Sequence, residues 1–199
     1  MNGGGTTAGG DGPLVVGVGG TGRADSTTDW ALTLALRGAE ESGARTVKLD
    51  GAFLGTLPLF LPHHRERGSA VRHMLALLAR ADGVVLATPS YHGGVAALLK
   101  NALDFLEDLR EDHRPYLHGR AVGCVVSCDG PQSGGTTMAA LRSIVHALRG
   151  WPVPLGVALT AQGGRGTRVQ EQLSTVGRMT TEFAHAFGAR HGAAAQGVR

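Results

Sequence analysis

The sequence predicts a single α/β domain built on one parallel sheet with helices on both faces. Two observations carry that expectation. Short β-rich runs alternate with helical patterns along the chain, which is how a parallel sheet with crossover helices reads. The first such run, Leu14–Val18, is continuously apolar rather than alternating, as a strand covered on both faces must be. The length of 199 residues suits one well-buried core and not two.

The elements follow in order. After the first strand a helix is expected from about Ser26 to Ser42, ended by Gly43. Arg45–Asp50 is the second strand. A helix placing Val71, Met74, Leu75 and Leu78 on one face precedes the third, Gly83–Thr88. A helix from about Gly94 to Leu109 carries Leu98, Ala102, Phe105 and Leu106, a face broad enough for the core and a partner. The fourth strand is Ala121–Ser127, with a helix from about Thr136 to Arg149. Val153–Thr160 is the fifth strand, and a last helix runs from about Thr167 to Phe187. Five strands and five helices fit the strand order 2-1-3-4-5. The division expected is a flexible Gly-rich tail over 1–12, a folded domain over 13–188 and a flexible tail over 189–199.

Composition narrows the function. Charged residues are 18% and hydrophobic residues 42% of the chain, and no apolar run reaches the roughly 20 residues that span a bilayer. The N-terminus has neither the basic nor the apolar region of a secretory signal. Two cysteines, Cys124 and Cys128, make no disulfide framework and too few ligands for a metal centre, which fits a reducing cytoplasm. With a net charge of +3, scattered arginines and 5% aromatics, no nucleic-acid surface is indicated.

Ligands of open parallel sheets bind outside the carboxyl ends of the strands. Three loops meet there. The first, Gly19 to Thr28, offers glycine backbone, the hydroxyls of Thr21, Ser26, Thr27 and Thr28, the guanidinium of Arg23 and a helix start. Those are the parts of a phosphate cradle; the alternative is a plain helix cap at Ser26 and a solvated arginine. The same loop matches G-x-G-x-x-G over Gly17–Gly22, a weak signal in a chain with 32 glycines. The acidic residue that a dinucleotide site wants about 20 positions on has only the more distant Asp50 to supply it, so a Rossmann module is the second reading of the fold.

The second loop is Thr88-Pro89-Ser90-Tyr91-His92-Gly93-Gly94. Proline stiffens it, its glycines let backbone approach a planar ligand, and Tyr91 or His92 can lie against a ring. Taken alone His92 reads as an exposed loop histidine. The third loop, Ser127 to Gly135, contributes Ser127 and Gly130. Cys128 reads as a packed small side chain before a redox thiol, and His63-His64 as a solvated loop before a pocket rim.

These residues resemble the NADPH-dependent FMN reductase family, which also holds quinone, azo-dye and chromate reductases. Gly20-Thr21-Gly22-Arg23-Ala24-Asp25-Ser26 is similar to its phosphate loop G-S-x-R-x-x-S. Pro89-Ser90-Tyr91-His92-Gly93-Gly94 running to Leu99-Lys100-Asn101-Ala102-Leu103-Asp104 is similar to P-E-Y-N-x-G and L-K-N-A-[LI]-D, and Leu57-Pro58-Leu59-Phe60 to L-P-L-[FY]. Ser90 and His92 stand where the family has Glu and Asn.

The resemblance implies a flavodoxin-like three-layer sandwich with a five-stranded sheet. It implies a flavoprotein oxidoreductase that binds FMN, with NADPH or NADH as co-substrate. Thr21, Arg23, Ser26, Thr27 and Thr28 would hold the phosphate, Pro89, Ser90, Tyr91, His92 and Gly93 the ring, and Ser127 and Gly130 its other side. No catalytic acid or base is named. The implied partners are a small-molecule acceptor, free flavin or a quinone, a flavin-dependent monooxygenase, and a second copy in a homodimer or homotetramer. A non-enzymatic electron-transfer flavodoxin is the rival from another class, and the mild positive charge argues against it.

Overall fold

A computed structural model describes residues 12–23, 26–160 and 163–196. The elements are β1 (Leu14–Gly19), α1 (Thr27–Glu41), β2 (Arg45–Leu49), α2 (Gly51–Leu54), α3 (Ser69–Arg80) and β3 (Gly83–Tyr91). Then come β4 (Gly94–Val95), α4 (Ala97–Asp104), a 3-10 turn (Phe105–Leu109), β5 (Ala121–Cys128), α5 (Pro131–Ala147), β6 (Trp151–Thr160) and α6 (Thr167–Gln196). The main strands lie side by side as β2-β1-β3-β5-β6, all parallel. With the two-residue β4 set aside this is the expected 2-1-3-4-5 order. β4 is the sixth strand that the pattern did not show, and it pairs antiparallel with the tip of β3.

Alternation along the central strands explains the two helical layers. Val16 and Val18 of β1, Val84 and Leu86 of β3, and Val122 and Val126 of β5 pack on one side against Met74, Leu78, Leu99, Phe105 and Leu141. Val15, Val85, Ala87 and Val125 point the other way, against Leu32, Ala35, Leu36, Leu173 and Val176 of α1 and α6. Both faces are thus covered, which is why these strands read as unbroken apolar runs.

Several boundaries differ from the sequence expectation. The helix expected from Gly94 begins only at Ala97, because Gly94 and Val95 are spent on β4. Its Ala102, Phe105 and Leu106 are buried in the core, so little of the face expected to serve a partner remains exposed. α5 starts at Pro131 instead of Thr136, with proline in its first turn, where the missing N–H costs nothing. The short α2, capped by Asp50 through a 2.9 Å bond from the Phe53 N–H, was not anticipated. α6 continues as helix to Gln196, past residue 189 where a tail was expected; of the expected tails over 1–12 and 189–199, residues 1–11 and 197–199 lie outside the described residues. No described helix is long and apolar enough to cross a membrane.

Candidate functional site

The loops after β1, β3 and β5 meet in a cleft of about 150 Å³ at the carboxyl edge of the sheet. The first loop is pinned by the Gly20 N–H, which donates to the Ala87 carbonyl of β3 at 3.2 Å. Beyond it the Thr21 hydroxyl makes a tight turn: it donates to the Arg23 carbonyl and accepts the Arg23 N–H, both at 3.2 Å. Arg23 stands exposed at the cleft, with no ion-pair partner among the described residues. Ser26 is buried and caps α1, accepting the Asp29 N–H at 3.1 Å. A hydroxyl that accepts one bond still has a hydrogen to donate, so capping and phosphate binding do not compete for it. Thr28, buried in the first turn of α1, shares a 2.6 Å hydrogen bond with Ser127. That bond ties the first loop to the third.

The second loop is a tight hairpin. His92 and Gly93 have φ of 54° and 77° between the paired residues Tyr91 and Gly94. Positive φ at both central positions is the signature of the type I′ turn whose twist suits β-hairpins. Histidine is among the non-glycine residues that enter this region most readily, which is how His92 fills a position where the resembling family has asparagine. Thr88 holds the base of the hairpin by accepting the Ala96 N–H at 3.0 Å. Tyr91 remains 60% exposed at the cleft rim. The Ser90 hydroxyl turns toward α5 instead, 2.6 Å from the Thr137 hydroxyl and 3.0 Å from the Ser133 carbonyl.

The structure therefore brings nine of the twelve sequence candidates to one cleft: Thr21, Arg23, Ser26, Thr27 and Thr28, then Pro89, Ser90 and Tyr91, then Ser127. His92, Gly93 and Gly130 are not among its lining residues. His92 and Gly93 form the hairpin turn, and Gly130 is the N-cap of α5. His63 and His64 are exposed and lie outside the cleft as well.

Three further residues line the cleft: Cys128 and Asp129, which lie in the third loop but were not named as site residues, and Leu159, which sequence reasoning missed. Leu159 sits at the end of β6, so the carboxyl-edge rule applied to that strand would have found it. Cys128 is buried and its thiol donates to the Leu159 carbonyl at 3.3 Å. Gly134 packs on the sulfur so closely that a Cβ there would lie 2.6 Å from it. Burial, with Asp129 adding, pushes the Cys128 thiol above its ordinary pKa, and burial pushes Cys124 up to about 12. Both thiols stay protonated at neutral pH. The native protein is therefore expected to resist a thiol reagent that labels both cysteines rapidly once urea unfolds it; equally fast labelling of the native state would contradict this packing.

A further role was hidden in the motif around Leu99–Asp104. The Asn101 amide accepts the Phe60 N–H and donates to the Pro58 carbonyl, both at 2.8 Å. It thereby clamps the Leu57-Pro58-Leu59-Phe60 segment onto α4. Arg67 secures the same segment, pairing with Asp108 at 2.6 Å and lying over the rings of Phe60 and Phe105. Lys100 only forms an exposed pair with Asp104, of the kind that contributes about 0.3–0.5 kcal/mol.

A parallel sheet in this strand order, with helices on both faces and a cleft beyond its strand ends, defines a flavodoxin-like fold. The chain belongs to the NADPH-dependent FMN reductase family, which matches residues 13–165. It is 42% identical over 60 residues to the NADPH azoreductase of Bacillus sp. (strain OY1-2), covering 30% of this chain and 34% of that protein. It is 37% identical over 78 residues to the FMN-dependent NADPH-azoreductase of Staphylococcus aureus (strain USA300), covering 39% and 38%. The matches thus span little more than a third of these relatives' length. Among solved structures it is similar to FerB of Paracoccus denitrificans, a flavoenzyme NAD(P)H:(acceptor) oxidoreductase. The TM-score there is 0.69 at 16% identity, over 88% of this chain and 98% of that one, a likeness of fold.

Proposed function

We propose that the cleft binds FMN and that the protein is an NAD(P)H-dependent FMN reductase, passing electrons from the nicotinamide to FMN and on to free flavin. Arg23 carries the reading: an arginine without an ion-pair partner among the described residues faces a cleft with the hydroxyls of Thr21 and Thr27 and the start of a helix. A helix's first N–H groups have no intrahelical partner, and its dipole favours an anion there. Such donors suit a terminal phosphate. A cleft of about 150 Å³ is too small for a whole flavin nucleotide, so the phosphate end enters and the ring lies across the rim.

In this reading Thr21, Arg23, Ser26, Thr27 and Thr28 hold the phosphate, Thr28 from a position set by Ser127. Pro89, Ser90, Tyr91 and Ser127 border the ring, and Tyr91 covers it. His92 and Gly93 act through the hairpin that presents Tyr91, and Gly130 by starting α5 beside the cleft. The bound flavin supplies the redox chemistry; the chain supplies position and exclusion of water. The protein is further proposed to act as a cytoplasmic homodimer, with Leu59 and Leu61, 75% and 52% exposed on a firmly clamped segment, as the support for a partner surface. A flavin-dependent monooxygenase that consumes the reduced flavin is the partner this reading entails.

The second reading is a dedicated organic acceptor, a quinone or an azo compound, favoured by the azoreductase relatives and by a hairpin that carries Ser90 and His92. Steady-state kinetics separate the two. Free flavin as acceptor predicts NAD(P)H oxidation that rises and saturates with added FMN, giving parallel double-reciprocal lines. Oxidation indifferent to added FMN but strongly stimulated by a quinone would replace the first reading with the second.

A further inference from the structure

We propose that Arg165, laid over the ring of Trp30, is a second cation for the FMN phosphate and sets the affinity of the cleft for a phosphate dianion. This rests on the reading of the cleft as the FMN site. Arg165 stands on the turn that leads into α6, on a segment to which neither the sequence patterns nor the cleft's three loops gave a role.

The packing of α1 and α6 brings that turn to the site. Both helices follow parallel strands and so begin at the carboxyl edge. They lie against each other at glycines: a Cβ on Gly177 would lie 1.8 Å from the Ala35 carbonyl oxygen, and one on Gly38 2.2 Å from that of Ser174. Leu159, near the end of β6, lines the cleft, and the Thr160 hydroxyl beyond it accepts the Gly163 N–H at 3.0 Å. The Arg165 carbonyl accepts from the Gln170 side-chain amide at 2.8 Å, which fixes the residue at the mouth of α6. Its guanidinium carbon lies 4.9 Å from the centre of the Trp30 ring. Trp30 is half-buried on the core layer of α1 and α6, one helical turn beyond the lining residue Thr27. Helical side chains lean toward the N-terminus, so an indole at this position covers the first turn of α1, beside Thr27.

The charges at this end of α1 are unbalanced. Among the described residues no carboxylate forms an ion pair with Arg165, and none does with Arg23. Asp29 of the same turn is taken by Lys48 at 3.1 Å. Asp129, on the third loop, is the acid that lines the cleft. A cation–π contact holds a guanidinium in place without neutralising it. Two arginines beside the positive end of one helix dipole repel each other and the dipole until an anion joins them. A phosphate monoester carries about −1.5 to −2 charges at neutral pH. Arg23 alone balances about half of that, and Arg165 supplies the rest.

Titration of the apo-protein with FMN and with riboflavin, followed by flavin fluorescence, tests the assignment. Arg165→Gln should weaken FMN binding about threefold to tenfold, the effect of one screened charge. Riboflavin, which has no phosphate, should keep its native affinity. Arg165→Lys should recover part of the loss, because the charge remains, and the loss should shrink as salt rises. Trp30→Leu should weaken FMN as Arg165→Gln does, and the double variant should lose no more than the worse single one, since both changes remove the same charge from the same place. Native FMN affinity in Arg165→Gln overturns the proposal, because the guanidinium is then merely solvated. An equal loss of FMN and riboflavin also overturns it, because Arg165 then shapes the loop and does not act on the phosphate. Full additivity in the double variant overturns the seat on Trp30. Arg23→Ala keeps the two readings apart. A loss of FMN affinity there, with none in Arg165→Gln, removes the second cation alone, whereas riboflavin binding the native protein as tightly as FMN removes the phosphate reading of the cleft itself.

Discussion

Replacing Arg23 by alanine is expected to weaken FMN binding by at least tenfold and to leave the fold intact. A hydrogen bond to a charged group contributes about 1.5–3 kcal/mol, and about 1.4 kcal/mol is a factor of ten in affinity. Among the described residues no carboxylate pairs with Arg23, and it stands on an exposed turn set by Thr21, so its removal breaks no packing. Arg23→Lys should recover part of the loss, since an ammonium keeps the charge without the two-pronged geometry. The loss should shrink as salt rises, because an exposed charge is screened. Titration of apo-protein with FMN measures all three. Affinity unchanged in Arg23→Ala would mean that the guanidinium is merely solvated and that the phosphate lies elsewhere.

The parts of the fold legible in the sequence are those whose physics is local. A strand covered on both faces must be apolar where it is covered, and β1, β3 from Gly83 to Ala87 and β5 from Ala121 to Val126 are. The cleft was legible for a related reason: the carboxyl-edge rule turns a list of loops into a place, and hydroxyls with an arginine in one loop say what that place can hold. What escaped was decided by contacts between distant segments. Gly134 and Gly135 read as a loop, yet they lie inside α5, because Gly134 must pass the Cys128 sulfur and no larger residue can. Ser90 looked available to a ring, but Thr137 and Ser133 of α5 claim its hydroxyl. Two residues of β4 are too few to show a period, so the hairpin that displays Tyr91 was invisible as a strand pair. Asn101 lay within a quoted motif, and only the fold shows that it grips a segment some forty residues earlier.

The largest effect on stability is expected at the opposite end of the sheet. Arg120 precedes β5, at the amino edge, and its side chain is fully buried. Among the described residues no carboxylate forms an ion pair with it. Its guanidinium donates instead to the carbonyls of Ala79 at 2.5 Å and Ala81 at 3.1 Å, which end α3, and to that of Tyr116 at 3.0 Å. Longer bonds of 3.3 Å reach Arg114 and His118. One side chain thus satisfies the end of a helix and the loop that leads into the central sheet. Arg120→Leu would strand several buried carbonyls, each costing about 1–3 kcal/mol, so a loss of at least about 3 kcal/mol is expected, roughly two orders of magnitude in the folding equilibrium. Arg120→Lys, with one compact donor head in place of the fork, should fall between leucine and the native residue. Burial, with Arg114 adding, pulls the Arg120 pKa down to about 10. The folded state then holds its proton less firmly than the unfolded chain, so stability gained by releasing it appears only as pH rises through about 10. Comparison at neutral pH is free of that contribution. Urea unfolding gives the stability change, and FMN titration of the folded variant should return the native affinity, because the cleft lies at the far ends of the same strands. A midpoint unmoved in Arg120→Leu would show that water replaces the guanidinium at no cost; a weakened FMN affinity in the folded variant would show that the two edges of the sheet are not independent.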